Sequence, residues 1–562
     1  MKKLTIATLL AVASLATTSC KDFLTEKPID SVSPAQVTDA NSYVNGALNT
    51  LSAEAMFRYG QFPNLWDYDS DDSTGPSWAF GDVGSGNFQS YWGIDAGWNG
   101  PYILIHRCNF ALAQVAGMTS MDPVAQKNAL AQLHFLRGWA YYLLVRAYGP
   151  VPLFEKSIVE GTAPQQARTP VKDIYAFIIN ELKQAEAGLY TSRDANFIAG
   201  HPSKGAASSL LAKTYLTMAS GSLASGQVTV MGGPALQVSG TKRFLLPAKA
   251  LTHSKTVVAG LEGLNSAEYF KLARDKAQEV MNSGDYQLFA SHAQTWSVTN
   301  QNKGEHIWSL QTVSNDPLYG NEVSWFHVGR IVPTTGEIDG AAIAASDHWY
   351  HLFEDKDQRI TDGVVHRWKV YGGTHYYPTS DSLVVRGTDM SPEAVEKRAK
   401  YGYLPTDYSN VDDTHICRLR KFEAVSDRSS TRTNFNYPLL RYPDVLLIFA
   451  EADNEVNGGP TTAAKEAVNM IRRRNGASEV AATLNQQAFR SYVLEERRRE
   501  LGLEGDRRWD LLRWGIYLPV MNAIDIDENN VVKRRSSKNL LYPIPMSELN
   551  SNRLITGNNP GW

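Results

Sequence analysis

Residues 131–153 read AQLHFLRGWAYYLLVRAYGPVPL, and the way this stretch folds decides the class of the whole chain. Leu130, Leu133, Leu136, Ala140, Leu143, Leu144 and Ala147 recur at intervals of three and four, so on a helix they share one broad apolar face. The spacing predicts a helix over 122–148, and the Gly-Pro-Val-Pro that follows cannot continue it. Arg137 and Arg146 sit among aromatic residues inside the same periodic run, which assigns them to a core and not to a ligand.

Outward from this helix the same periodicity returns repeatedly. It predicts helices over 41–56, 101–115, 171–189, 204–219, 267–283, 444–456 and 462–475. The last two are joined by Asn457-Gly458-Gly459-Pro460, where glycine and proline stop one helix and start the next. Small residues at the expected crossing, Ala450, Ala452, Ala464 and Ala467, make this pair similar to tetratricopeptide helix pairs. Long insertions, such as the Gly/Ser-rich 220–266, spoil any regular period, so a general helical bundle fits the pattern equally. Across 290–433 the helical signal weakens into loops and short strands such as 306–312. The expected fold is mainly α: helix pairs forming one scaffold, with a loop-rich face and a few short strands.

The chain opens MKKLTIATLLAVASLATTSC, two lysines followed by a short apolar run and a small-residue segment ending at Cys20. This is the pattern of a signal peptide over 1–19, too short in its apolar part for the roughly 20 residues that span a bilayer. Cys20 in that position is read as a lipidation site, with 20–34 as an extended tether; multiple acyl chains would anchor the protein stably to a membrane. Only Cys108 and Cys417 remain, which excludes a disulfide framework and a structural zinc site and leaves open whether the two pair. A net charge of -3 without a basic block argues against nucleic acid as the partner.

Four stretches then carry a resemblance. Cys20 followed by Lys21-Asp22-Phe23-Leu24, the helix and exit of 131–153, NYPLLRYPDVLLIFAEADNEV at 436–456, and ERRRELGLEGDRRWDLLRWG at 496–515 with LYPIPMSELNSNRLITGNNPGW at 541–562 occur in the order found in one family. The chain resembles the SusD/RagB outer-membrane nutrient-binding lipoproteins of Bacteroidetes. The resemblance implies a single α-helical domain over 35–562, its N-terminal SusD-like part about 35–290 and its C-terminal SusD/RagB part about 291–562. It also implies a surface-exposed lipoprotein of the outer membrane that captures an oligosaccharide and delivers it to a SusC-like TonB-dependent transporter, without cofactor or metal and without catalysis. A receptor of the same type for peptides or other nutrients, or a glycoside hydrolase, are the alternatives.

Sugar recognition needs flat apolar surfaces for the C–H faces of pyranose rings and planar polar groups for the hydroxyls. Residues 57–102 supply both: Phe62, Trp66, Tyr68, Trp78, Phe80, Phe88, Tyr91, Trp92 and Trp98 are interleaved with aspartates, asparagines and glutamine. Trp98 leads into a helix and is expected to pack. Trp78 and Trp92, among Gly, Ser and Asn, are expected to meet ligand, with Asp71 and Asp72 as polar partners. The family resemblance adds the loop NDPLYGNEVSWFHVGR, 315–330, with Tyr319 and Trp325 as ligand-binding candidates.

Nothing marks a catalytic constellation. No Gly-x-Ser-x-Gly, His-Glu-x-x-His or phosphate loop occurs, and among 58 acidic residues no pair is singled out as the two carboxylates a glycosidase requires. Asp347, His348 and His351 come nearest to a metal set, but in HWYHLF they read as a packed or surface patch. The run Glu495 to Glu500 reads as a solvated or tied-down helix face, with Glu495 and Glu496 each able to meet Arg499.

Overall fold

The computed structural model describes residues 37–53, 56–76, 81–91, 93–239, 242–377 and 416–562, and helices dominate them. α1 (Ala40–Leu48) is capped by Asp39, whose side chain accepts from the Asn41 amide. After α2 (Gln61–Tyr68), α3 (Ile94–Ala116) begins two turns before Pro101, where the apolar pattern places its start. Proline lacks the N–H that a helix interior uses and ends most helices. Here tertiary packing holds the two preceding turns: Trp98 is buried with its ring centroid 5.1 Å from Tyr102 and 5.0 Å from Tyr148.

α4 (Pro123–Tyr148) matches its expected span. Asp122 accepts from the Ala125 amide at 2.8 Å, proline occupies the first turn, and Gly149 ends the helix at φ +70°. This helix is buried nearly all round, so its polar side chains must find partners. Arg137 donates to Glu181 at 2.7 and 2.8 Å and to Asn109 at 2.6 Å, a core role as the spacing implies.

α5 (Val171–Gly188), α6 (Lys204–Ser222) and α7 (Ser266–Ser283) follow. α6 is buried on every side although rich in Ser and Thr. Ser209, Thr214, Thr217, Ser220 and Ser222 each return their hydroxyl to a carbonyl four residues back, so no partner outside the helix is needed.

Between α6 and α7 the expected Gly/Ser-rich insertion forms two antiparallel ladders, Gln227–Gly232 with Lys249–Ser254 and Leu236–Ser239 with Lys242–Leu245. Val228 and Val230 point inward between exposed Gln227 and half-buried Thr229 and Met231, the alternation of a half-buried strand.

His306–Ser309 is the strand expected near 306–312; its partner is Pro438–Arg441. The short α8 (Val323–Val328) lies in the loop-rich portion. α9 (Tyr442–Asn457) ends at Gly458 with φ +67°, and the Thr461 side chain caps α10 (Thr462–Arg474), as that turn predicts. α11 (Gln486–Glu500) and α12 (Arg507–Arg513) complete the scaffold.

α3 packs on α4, α4 on α5, α5 on α6, α6 on α7, and α7 on α9, which also receives α10 and α11. Stacking of neighbours in chain order is how helical-repeat scaffolds bury a core. One apolar cluster extends from Ala40 to Ile555. Cys108 and Cys417 are both buried and are not joined in a disulfide.

The charged face of α11 is tied down, and it is not solvated. Glu496 binds Arg359 and Arg472 at 2.7 Å and Arg499 at 3.1 Å, the last as helix spacing predicts. Glu495 lies instead nearest Arg498 and Arg507, 3.5 and 3.8 Å away. Arg497 reaches Asp444 at 2.6 Å and Asp510 at 2.8 Å. Burial raises the Glu496 carboxyl, but Arg359, Arg499 and Arg472 outweigh it and hold the group down at about 2.

Candidate functional site

The aromatic stretch after α1 lies mostly inside. Phe62, Trp66, Tyr68, Phe88, Tyr91 and Trp98 are all buried; Trp66 meets Phe57 and Phe62 edge to face at 5.9 and 5.0 Å. Two of the proposed ligand residues, Trp78 and Trp92, lie outside the described residues, as does Phe80.

Asp71 and Asp72 are not at a ligand surface, contrary to the sequence reading. Asp71 is clasped by Arg507 at 2.8 and 2.7 Å, and Asp72 is paired with Arg498. Their carbonyls accept from Ser346, the Asp71 oxygen from its hydroxyl at 3.0 Å and the Asp72 oxygen from its amide at 2.6 Å. Burial works against ionisation of Asp71, yet Arg498 and Arg507 hold it well below the usual carboxylate range. Burial lifts Asp72 to about 7, with Asp71 adding to the rise and Arg498 opposing it. An Asp-rich turn reads as solvated from its neighbours in sequence, but its partners lie 426 and 436 residues away, where no local pattern reports them.

Tyr319 is placed differently. The Asp316 carboxylate accepts from the amides of Leu318 and Tyr319 at 2.8 and 2.9 Å, closing a tight turn that turns both side chains outward, Leu318 54% and Tyr319 39% exposed. The loop is strapped at its base. Arg432 donates to the Pro317 carbonyl at 2.8 Å, Asn321 to the Phe435 carbonyl at 2.7 Å, and the Glu322 amide to the Arg58 carbonyl at 2.9 Å.

This turn, α1 and α3 enclose a groove of about 500 Å³, within the size range of small-molecule sites. Tyr319 and Leu318 form one side, Tyr43 of α1 and Phe110 of α3 another, with rings 6.1 Å apart and inclined at 56°. Arg58, Arg107 and Asn49 bring polar groups to it. Arg107 is fixed by donation to the Gly46 carbonyl at 2.9 Å and the Thr50 hydroxyl at 3.0 Å. Among the described residues lining the groove there is no Asp or Glu. Its chemistry is therefore ring faces for apolar contact and guanidinium and amide N–H groups for oxygen acceptors.

Trp325, on α8, does not line this groove among the described residues. It is half-buried, its ring centroid 5.0 Å from Phe326, and it lies against Gly340, where any side chain would collide with the indole. Its indole N–H is buried without a hydrogen-bond partner. Tyr43, Phe110, Arg58 and Arg107 were missed from sequence because each sits within or beside a helical run and reads as part of it. His348 and His351 are held by backbone carbonyls, those of Leu246 and Asp347, at 2.9 Å each.

Comparison with known proteins completes this picture. Residues 265–562 match the family model described as the SusD family, and 22–216 match one described as starch-binding, associating with outer membrane. The first match alone spans more than half of the chain. The chain belongs to the SusD family. Among its SusD relatives, the SusD-like protein P2 of Formosa agariphila is 24% identical over 486 residues, 84% of this chain and 81% of the relative. The starch-binding protein SusD of Bacteroides thetaiotaomicron is 24% identical over 472 residues, 81% and 76% of the two chains. The crystal structure of a SusD homolog from Bacteroides thetaiotaomicron shares the fold, with a TM-score of 0.72 at 22% identity over 93% of this chain and 96% of that one. The SusD fold is thus mainly helical here, as the sequence implies, and no described helix is long and apolar enough to cross a membrane.

Proposed function

We propose that this SusD family member is a glycan receptor of the outer-membrane surface, anchored through acylated Cys20, that takes an oligosaccharide into the Tyr319 groove and passes it on unchanged to a SusC-like TonB-dependent transporter. The observation that carries the reading is the groove itself. Three aromatic side chains from three separate elements meet there beside two guanidinium groups and an amide. Pyranose rings stack on such rings, and their hydroxyl oxygens accept from such donors. Glycoside hydrolysis requires a pair of carboxylates flanking the bond, and the described lining supplies none.

The name of one relative, a starch-binding protein, and the description of one matching family model, starch-binding and associating with outer membrane, support the same class of ligand. Trp78, Trp92 and Trp325 are proposed as further stacking residues; Asp71 and Asp72, buried and paired with arginine, take no part.

Calorimetric titration of the purified protein against a panel of neutral and acidic oligosaccharides tests the proposal. Saturable binding of at least one, with no new reducing ends after prolonged incubation, is expected. Release of reducing ends, or binding only of peptides, overturns it.

A further inference from the structure

Two further cavities meet on α11, away from the Tyr319 groove and sharing no lining residue with it. One, of about 460 Å³, lies between the strand Gln227–Gly232 and the length of α11; the other, of about 310 Å³, lies between α11 and the segments around Phe353 and Ser478. Tyr492 and Arg499 line both, so the two run together over one helix face.

The charges along this groove are already answered. Arg472 binds Glu354 at 2.6 Å and Glu496 at 2.7 Å, and Arg499 binds Glu496 at 3.1 Å and the Leu352 carbonyl at 3.1 Å. With those guanidinium groups neutralised and Glu479 and Glu495 also present in the lining, the groove offers no surplus positive charge to an anion.

Its neutral polar groups are only partly spent. Asn485 uses its carbonyl oxygen on the Ala488 amide at 2.9 Å, which leaves its NH2 group. Gln487 uses its NH2 group on Gln227 at 3.2 Å, which leaves its oxygen. The Tyr492 ring receives the Arg472 guanidinium 5.5 Å from its centroid, and among the described residues its hydroxyl has no hydrogen-bond partner. Glu495 is turned to protein partners, its Oε2 3.5 Å from Arg498 and its Oε1 accepting from the Met231 amide at 3.4 Å, so it brings no free charge to the groove.

We propose that this groove is a second saccharide-binding subsite. Unspent donors and acceptors alternate along it beside the phenol ring of Tyr492 and the apolar Met231, and internal pairing removes its charge; that combination suits a neutral, polyhydroxylated chain. The proposal rests on the reading of the protein as a glycan receptor. Two sites on one chain would raise retention on a many-chained polymer beyond that on a short oligosaccharide.

The test compares wild type with Tyr492→Ala, Tyr492→Phe, Gln487→Ala and Tyr319→Ala, each confirmed folded by its melting temperature. Neutral hexasaccharides of the gluco-, manno- and xylo-series are titrated by calorimetry, and their parent polymers are embedded in native gels. For the glycan that wild type binds, Tyr492→Ala and Gln487→Ala are expected to lower polymer retention at least about threefold, while the tight hexasaccharide phase stays within about twofold of wild type. Tyr319→Ala is expected to weaken that tight phase about tenfold. If both α11 variants match wild type on hexasaccharide and polymer alike, the second subsite is rejected and the receptor reading stands. If wild type binds no member of the panel and no polymer, the receptor reading fails and the subsite with it.

Discussion

Two regions of this molecule use the same residue types for opposite ends. Beneath α11 and α12, Asp69, Asp71 and Asp72 meet Arg498, Arg507, Arg508 and Arg535, with Tyr517 donating to Asp69 at 2.7 Å. All of these groups are buried, and each aspartate and arginine among them has an opposite charge beside it within the seam. Around Tyr319, by contrast, arginine and aromatic side chains from α1, α3 and the Asp316 turn border open space with hydrogen-bonding capacity left over. The difference teaches that a dense run of charge and aromatic residues does not by itself mark a ligand face. What marks it is whether the fold supplies each group with a partner.

The sharpest way to break that comparison is to remove one partner from the buried seam. Arg507→Ala leaves Asp71 facing only Arg498, 3.4 Å away, and stranding a buried charge costs about 3–5 kcal/mol. Urea unfolding monitored by tryptophan fluorescence should show a loss of that size. A change below about 1 kcal/mol would mean the seam is hydrated and unlike the interior described.

On the open side, Tyr319→Ala should leave the unfolding midpoint unchanged and weaken binding of the cognate glycan by about tenfold. That corresponds to the roughly 1–2 kcal/mol that an aromatic stacking partner contributes. Equal affinity in calorimetry would move the site elsewhere.

Protonation sharpens the contrast further. Glu528 accepts from the Asp347 amide at 2.7 Å, and burial, followed by the nearby carboxylates of Asp527 and Asp347, raises it to about 8 from its ordinary 4.5. Unfolded, the carboxyl gives up its proton above about 4.5; folded, it keeps the proton until about 8. Between these values the unfolded chain binds fewer protons, so this group makes stability fall as pH rises. Glu528→Gln should flatten that fall when denaturation midpoints are compared from pH 5 to 8. A steeper fall in the variant would refute the assignment. Smallest of all, Asp316→Ala should cost about threefold in glycan affinity by loosening the turn that orders Tyr319, since ordering of a loop on binding weakens it. A loss as large as that of Tyr319→Ala would show that the whole loop collapses.

Much of the scaffold was readable in advance because its signals are local. Apolar spacing in α4, the Asp122 cap, and the Gly458 stop followed by the Thr461 cap act within one or two helical turns. α2 and the first turns of α3 were hidden because Gly, Pro and aromatic residues there resemble a loop until Tyr148 and Tyr102 pack against Trp98. The groove was less legible. Tyr319 entered through family resemblance, while Tyr43 and Phe110 reach it from two helices whose own patterns speak only of core. Asp71 and Asp72 misled for the converse reason, since the arginines that bury them lie near the other end of the chain.

That last separation bears on how the protein comes to be made. Hydrogen-bonded contacts between residues 69–72 and 498–535 join positions 426 to 466 apart. During synthesis from the N-terminus, nearly nine-tenths of the polypeptide must leave the ribosome before these early acidic groups can meet any of those basic ones. A product cut short before the final helices would thus carry homeless carboxylates near its start, since the arginines that answer them would be missing.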